Sequence, residues 1–120
     1  MQNLRWLISI FLISLPAYAL KEADYVNLTC TGQIEHRLED NTRVDCLTDE
    51  YAIEYDWAKK WAESIGQSLY YAKMTGKKPA VAIIVKSESD EKYIKRIETV
   101  SKDIKIFTIN ANEYETNESP

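Results

Sequence analysis

The chain is poor in the residues that build most metal and phosphate sites. It has one histidine, His36, and two cysteines, Cys30 and Cys46. Structural zinc takes four ligands, so these three residues cannot make such a site by themselves. Only three glycines occur, and none forms a Gly-rich loop to cradle phosphates. There is no nucleophile elbow, no internal repeat and no inter-domain linker. Long apolar runs are also missing. Trp6 to Leu15 is the longest near the N-terminus, and it is too short for a bilayer span of about 20 residues.

That short run sits in a recognisable setting. Arg5 precedes it, and Pro16-Ala17-Tyr18-Ala19 follows with an Ala-x-Ala ending. A basic flank, a short apolar run and small residues before a cut define a secretory signal, with an uncleaved anchor as the other reading. We therefore expect a signal peptide over 1–19, a domain over 20–110 and a flexible acidic tail over 111–120. The mature protein is expected to be periplasmic or secreted, with no stable membrane association after cleavage. In an oxidising compartment Cys30 and Cys46 could pair. Two small buried apolar residues remain the alternative.

The formal charge is −4, and removing Arg5 with the signal takes it to −5. Acidity opposes nucleic-acid binding, which relies on basic groups displacing counterions. Carboxylates gathered around a divalent cation are not a negative patch once the metal is bound. The charge therefore weighs against a nucleic-acid partner without excluding one.

The element pattern begins with a segment over 20–31 that is compatible with a short helix. Alternation then predicts strands at 33–38, 42–48 and 51–56, joined by Glu39-Asp40-Asn41 and Asp49-Glu50 turns. Antiparallel pairing sets Glu35 opposite Asp45, and Asp45 opposite Glu54. One face would then collect Ile34, His36, Leu38, Val44, Cys46, Ile53 and Tyr55, with His36 as a hydrogen-bonded core histidine. The other would collect Glu35, Arg37, Arg43, Asp45, Glu54 and Asp56. Directly opposed side chains lie about 5 Å apart at Cβ, a span one or two cations can bridge.

A long helix is expected from Trp57 to Thr75, stopped by Gly76. Ala58, Trp61, Ala62, Ile65, Leu69 and Ala72 form its expected core stripe, and Lys60, Ser64, Gln67 and Tyr71 a polar one. Residues 80–85 read as a strand buried on both faces. Ser89-Asp90 should cap a helix through Tyr93, Ile94, Ile97 and Val100, and 104–109 read as the last strand. The order is β-β-β-α-β-α-β, a mixed sheet flanked by helices.

Carboxylates on neighbouring strands suit Mg²⁺ or Mn²⁺, hard cations that take oxygen ligands and keep water positions open. A metal so held can activate water and neutralise charge on a transferring phosphate. Asp45, then Ile53-Glu54-Tyr55-Asp56 on the next strand, resembles the Asp…(Asp/Glu)-x-Lys core of the PD-(D/E)XK nucleases. Gln67-Ser68-Leu69-Tyr70-Tyr71 is similar to the Gln-x-x-x-Tyr motif of their RecB-like and Cas4-like branches. The stretches Arg43–Thr48 and Trp61–Ala72 also resemble small bacterial and phage members of that superfamily.

The resemblance spans about residues 33 to 86. It implies a restriction-endonuclease-like three-layer α/β core and metal-dependent cleavage of nucleic acid, DNA above RNA. Asp45 and Glu54 would bind metal, with Glu35 and Asp56 as further candidate ligands. Gln67 and Tyr71 would position substrate, and Arg37 and Arg43 could meet phosphates. Asp56 departs from the pattern, standing where the family has lysine. Either Lys60, on the stripe of Gln67 and Tyr71, supplies that function, or the domain binds without cutting. A homodimer holding a duplex is a further expectation. An exported protein-interaction domain, its carboxylates merely solvated, is the rival from another class.

Overall fold

A computed structural model describes residues 19–115, so residues 1–18 of the expected signal peptide and residues 116–120 of the tail lie outside the described region. The elements are α1 (Glu22–Thr29), β1 (Gln33–Arg37), β2 (Arg43–Leu47), β3 (Tyr51–Trp57), α2 (Trp61–Thr75), β4 (Lys78–Val85), α3 (Glu91–Val100), β5 (Lys105–Asn110) and α4 (Ala111–Tyr114). Short 3₁₀ turns, Ala58–Lys60 and Glu88–Asp90, lead into α2 and α3. The five strands form one mixed sheet in spatial order β1-β2-β3-β4-β5. The first two pairings are antiparallel, β1 with β2 and β2 with β3. The pairings of β3 with β4 and β4 with β5 are parallel, the crossovers being made by α2 and α3. The expected order of strands and helices is present, with α1 inside the segment compatible with a short helix and α4 added at the C-terminal end.

The buried runs of β3 and β4 explain the layering. Alternate residues of these central strands feed two cores, as strands covered on both faces require. Ile53, Tyr55, Ala82 and Ile84 pack with Tyr25 and Val26 of α1 and Ala111 of α4. Val81 and Ile83 pack with Ile65 of α2 and Ile97 of α3. Tyr25 is fully buried and meets Trp57 and Tyr114 edge-on at centroid distances of 5.7 and 5.9 Å. Residues 111–114 are thus part of the packed unit rather than of the acidic tail, since Ala111 of α4 is buried and Tyr114 meets Tyr25.

Cys30 and Cys46 form a disulfide with a Cα separation of 5.8 Å, joining the end of α1 to β2. Of the two readings open in the sequence, pairing is the one present. Gly76 ends α2 at φ +69, a left-handed position glycine adopts without a Cβ penalty.

Three expectations need correction. The first is strand alternation in the opening hairpin. The expected register is kept, Ile34 facing Cys46 and His36 facing Val44, but Glu35 between them has φ +52. Alternation breaks there. Val44 packs with Ala52 and Tyr71, on the opposite side of the sheet from Cys46. His36 is not a core histidine either. It is half-buried, and its Nδ1 lies 3.1 Å from Gln33 Oε1.

The second correction concerns α2, whose buried face holds Ser64, Ile65, Ser68, Tyr71 and Ala72, while Ala62 and Leu69 are exposed. Part of the expected polar stripe faces the sheet because the sheet beneath it carries buried carboxyls. The third is the start of α3. Asp90 Oδ2 accepts the N–H of Lys86 at 2.9 Å, bracing the preceding loop, and no side-chain cap bond is made at this helix start.

Candidate active site

The β2–β3 ladder pairs Cys46 with Ile53 and Leu47 with Ala52. Continued by one step, it sets Asp45 opposite Glu54. There the strands part: Asp45 Oδ2 accepts the backbone N–H of Tyr55 at 2.8 Å. A side chain has taken the place of a ladder carbonyl. The carboxyls of Asp45 and Glu54 are in hydrogen-bonding contact. Among the described residues, Glu54 Oε2 is buried with no hydrogen-bond partner.

The electrostatics follow from that placement. Burial, then the neighbouring Asp45 and Asp56, raise Glu54 from the usual 4.5 to about 10. Burial also raises Asp45, against the lowering effect of the Tyr55 N–H and the Glu54 carboxyl. The pair holds a proton at neutral pH, since a buried and a half-buried carboxylate in contact repel. Tyr71, buried on α2, is raised by desolvation first and then by Glu54 and Asp45. Its hydroxyl therefore stays protonated beside the pair.

Asp56 is 4 % exposed. Ser64 Oγ donates to its Oδ2 at 2.7 Å, yet burial still raises it from 3.8 to about 6. Ser64 and Ser68 are fully buried and small, which lets α2 lie close over β3.

Glu22, at the start of α1, is the residue sequence reasoning missed. Its charge contributes to the raised values of Asp45, Glu54 and Asp56, and its Oε1 accepts from Lys60 Nζ at 3.0 Å. No spacing rule pointed to it, because α1 is short and weakly amphipathic. A cleft of about 290 Å³, lined by Glu22, Val26, Ile34, Glu35 and Asp45 among others, opens beside Asp45.

The other candidates divide clearly. Lys60 is held by Glu22, and its charge is felt by Asp56. Glu35 lines the cleft but is exposed and pairs with Arg43 at 3.7 Å. Arg37 is exposed on the edge strand, and Gln67 is half-buried on α2. Asp45, Glu54 and Tyr71 therefore come together, with Asp56, Glu22 and Lys60 as charged neighbours. Arg37, Arg43 and Glu35 lie on the outer hairpin.

Among the described residues no group of three or more His, Cys, Asp or Glu side chains is arranged to hold a metal. The donor set that does fit is smaller. Two carboxyls in contact, one with an orphaned buried oxygen, match the one or two carboxylates by which Mg²⁺ is commonly held, water filling the rest. Asp56, committed to Ser64, and Glu35, turned to Arg43, do not fit as further ligands in this arrangement.

The fold and site together define a mixed α/β protein with an acidic pair, buried Glu54 and half-buried Asp45, at a strand divergence. No protein-family model, curated protein or solved structure matches the chain. No helix among the described residues is long and apolar enough to cross a membrane.

Proposed function

We propose that this is an exported, Mg²⁺- or Mn²⁺-dependent nuclease with a restriction-endonuclease-like core of the PD-(D/E)XK type, acting on DNA. The observation that carries the reading is the Asp45–Glu54 pair, two carboxyls in contact with one buried oxygen that has no partner among the described residues. An orphaned buried acceptor costs on the order of 1–3 kcal/mol, and a divalent cation would relieve that cost. The metal would supply a water acidified toward neutral pH and charge to offset the transferring phosphate.

The chain's own residues do the rest. Asp45 and Glu54 would hold the cation, giving up their shared proton to do so. Tyr71 stays protonated beside them and can donate to a phosphate oxygen. Lys60, kept in place by Glu22, supplies the positive charge that the family takes from the position of Asp56. Gln67 orients substrate from the same helix, while Arg37 and Arg43 on the outer hairpin meet the backbone farther along. Export follows from the signal-like residues 1–19.

A second reading is favoured by Asp56 itself. A buried carboxyl stands where the cleaving lysine belongs, consistent with an inactive nuclease fold or an exported interaction domain. Cleavage of plasmid and single-stranded DNA with Mg²⁺ or Mn²⁺ separates the two. Activity abolished by chelator and by Asp45→Ala supports the nuclease. DNA binding without cleavage, surviving Asp45→Ala, supports the inactive module.

A further inference from the structure

The face of α2 that points away from the sheet is unusual for a solvated helix. Its crest, at helical spacing, reads Glu63, Gly66, Tyr70 and Lys73, all exposed, with Leu69 beside it 46 % exposed. Glycine is among the poorest residues for a helix interior. A Cβ on Gly66 would meet nothing within 4 Å among the described residues, so the space there is open. The missing side chain leaves a shallow hollow in this exposed face.

The crest is also its own complement. Laid antiparallel on a second copy, with the twofold passing beside position 68, Glu63 faces Lys73 and Gly66 faces Tyr70. The same operation brings Leu69 against Leu69 next to the axis. Opposite charges meet at both ends, and a ring meets a hollow on both sides of the centre. This is the isologous pattern a twofold interface requires. Neither Glu63 nor Lys73 has an ion-pair partner among the described residues. Tyr70 is anchored in advance, because its hydroxyl donates to Asp40 Oδ2, which lowers the entropy lost on docking.

We infer that the outer face of α2 is a homodimer interface, a second copy of this chain packing antiparallel across Gly66. The buried face of the same helix carries Ser64 and Tyr71. Dimerisation thus leaves the acidic pair untouched, and the inference does not depend on the nuclease reading.

Sedimentation velocity and light scattering over a range of protein concentrations give the test. The wild-type protein should show twice the monomer mass at high concentration. Glu63→Lys and Lys73→Glu should each reduce that mass twofold, and the double charge swap should restore it. Gly66→Lys fills the hollow while improving helix propensity, so it should give a stable monomer with an unchanged or raised melting temperature. Two results would overturn the inference: a wild-type protein monomeric at every concentration, or a dimer that survives both single reversals and Gly66→Lys.

Discussion

At the scale of single residues, the molecule is organised around carboxyls it buries. Glu54 sits at about 10 in the fold against an ordinary 4.5. The folded state thus binds a proton that the unfolded chain has lost above pH 4.5. Stability is full below that value and falls as pH rises toward about 10, since folding then takes up a proton at increasing cost. In chelator, the melting temperature should therefore decline between pH 5 and pH 9. Glu54→Gln keeps the shape and removes the titration. Its melting temperature should change less with pH and exceed the wild type at pH 9, by about 1–3 kcal/mol in stability. A variant with the wild-type pH slope would show that another group dominates.

Ser64 offers a second residue-scale prediction. Its hydroxyl stabilises the ionised form of Asp56, which titrates at about 6 in the fold. Ser64→Ala should raise that value further and cost about 1–3 kcal/mol. The loss should be small at pH 4.5, where Asp56 is protonated, and larger at pH 8, where it is charged. Urea denaturation at the two pH values measures the difference.

At the scale of elements, the sequence was most legible where periodicity is strong. The alternation of β1 to β3, the apolar run of β4 and the stop at Gly76 located the strands and the long helix within a few residues. The approach of Asp45 to Glu54 followed from hairpin register alone. What escaped depended on neighbours in space. Ser64 and Tyr71 turn inward because the sheet carries Asp56 and Glu54, so Ala62 and Leu69 turn out; a hydrophobic count along α2 cannot register that demand. Glu35 at φ +52 breaks an alternation that no residue preference announced. Glu22 reaches the acids only because α1 is pinned across the sheet.

That pinning rests partly on the disulfide, which closes a loop of sequence separation 16. A loop near 15 residues gives about 3 kcal/mol by restricting the unfolded chain. Replacing both cysteines by alanine should lower stability by about that amount. Because α1 carries Glu22, the change should also loosen the hold on Lys60. Chemical denaturation with and without reductant tests the first part, the wild type in reductant matching the double variant.

At the scale of the whole molecule, net acidity and a partly buried acidic pair pose one question: what balances the charge when the protein works? A chain of formal charge −4 that buries Glu54 and Asp56 and half-buries Asp45 gains much from a cation and little from another anion. If Asp45 and Glu54 hold a divalent ion, it binds the folded state and not the unfolded one. It then stabilises by RT ln(1 + [L]/Kd), about 2.7 kcal/mol at a hundredfold excess over Kd. For a domain of roughly 100 residues this raises the melting temperature by on the order of 10 °C. The rise should be larger at pH 8 than at pH 5, because the ion must displace the shared proton and that proton leaves more easily at higher pH. It should vanish in Asp45→Asn and shrink in Glu54→Gln, while NaCl at matched ionic strength produces no such rise. An equal response in wild type and Asp45→Asn would mean that the cations act on general surface charge, and the acidic pair would then be a structural feature of the β2–β3 divergence.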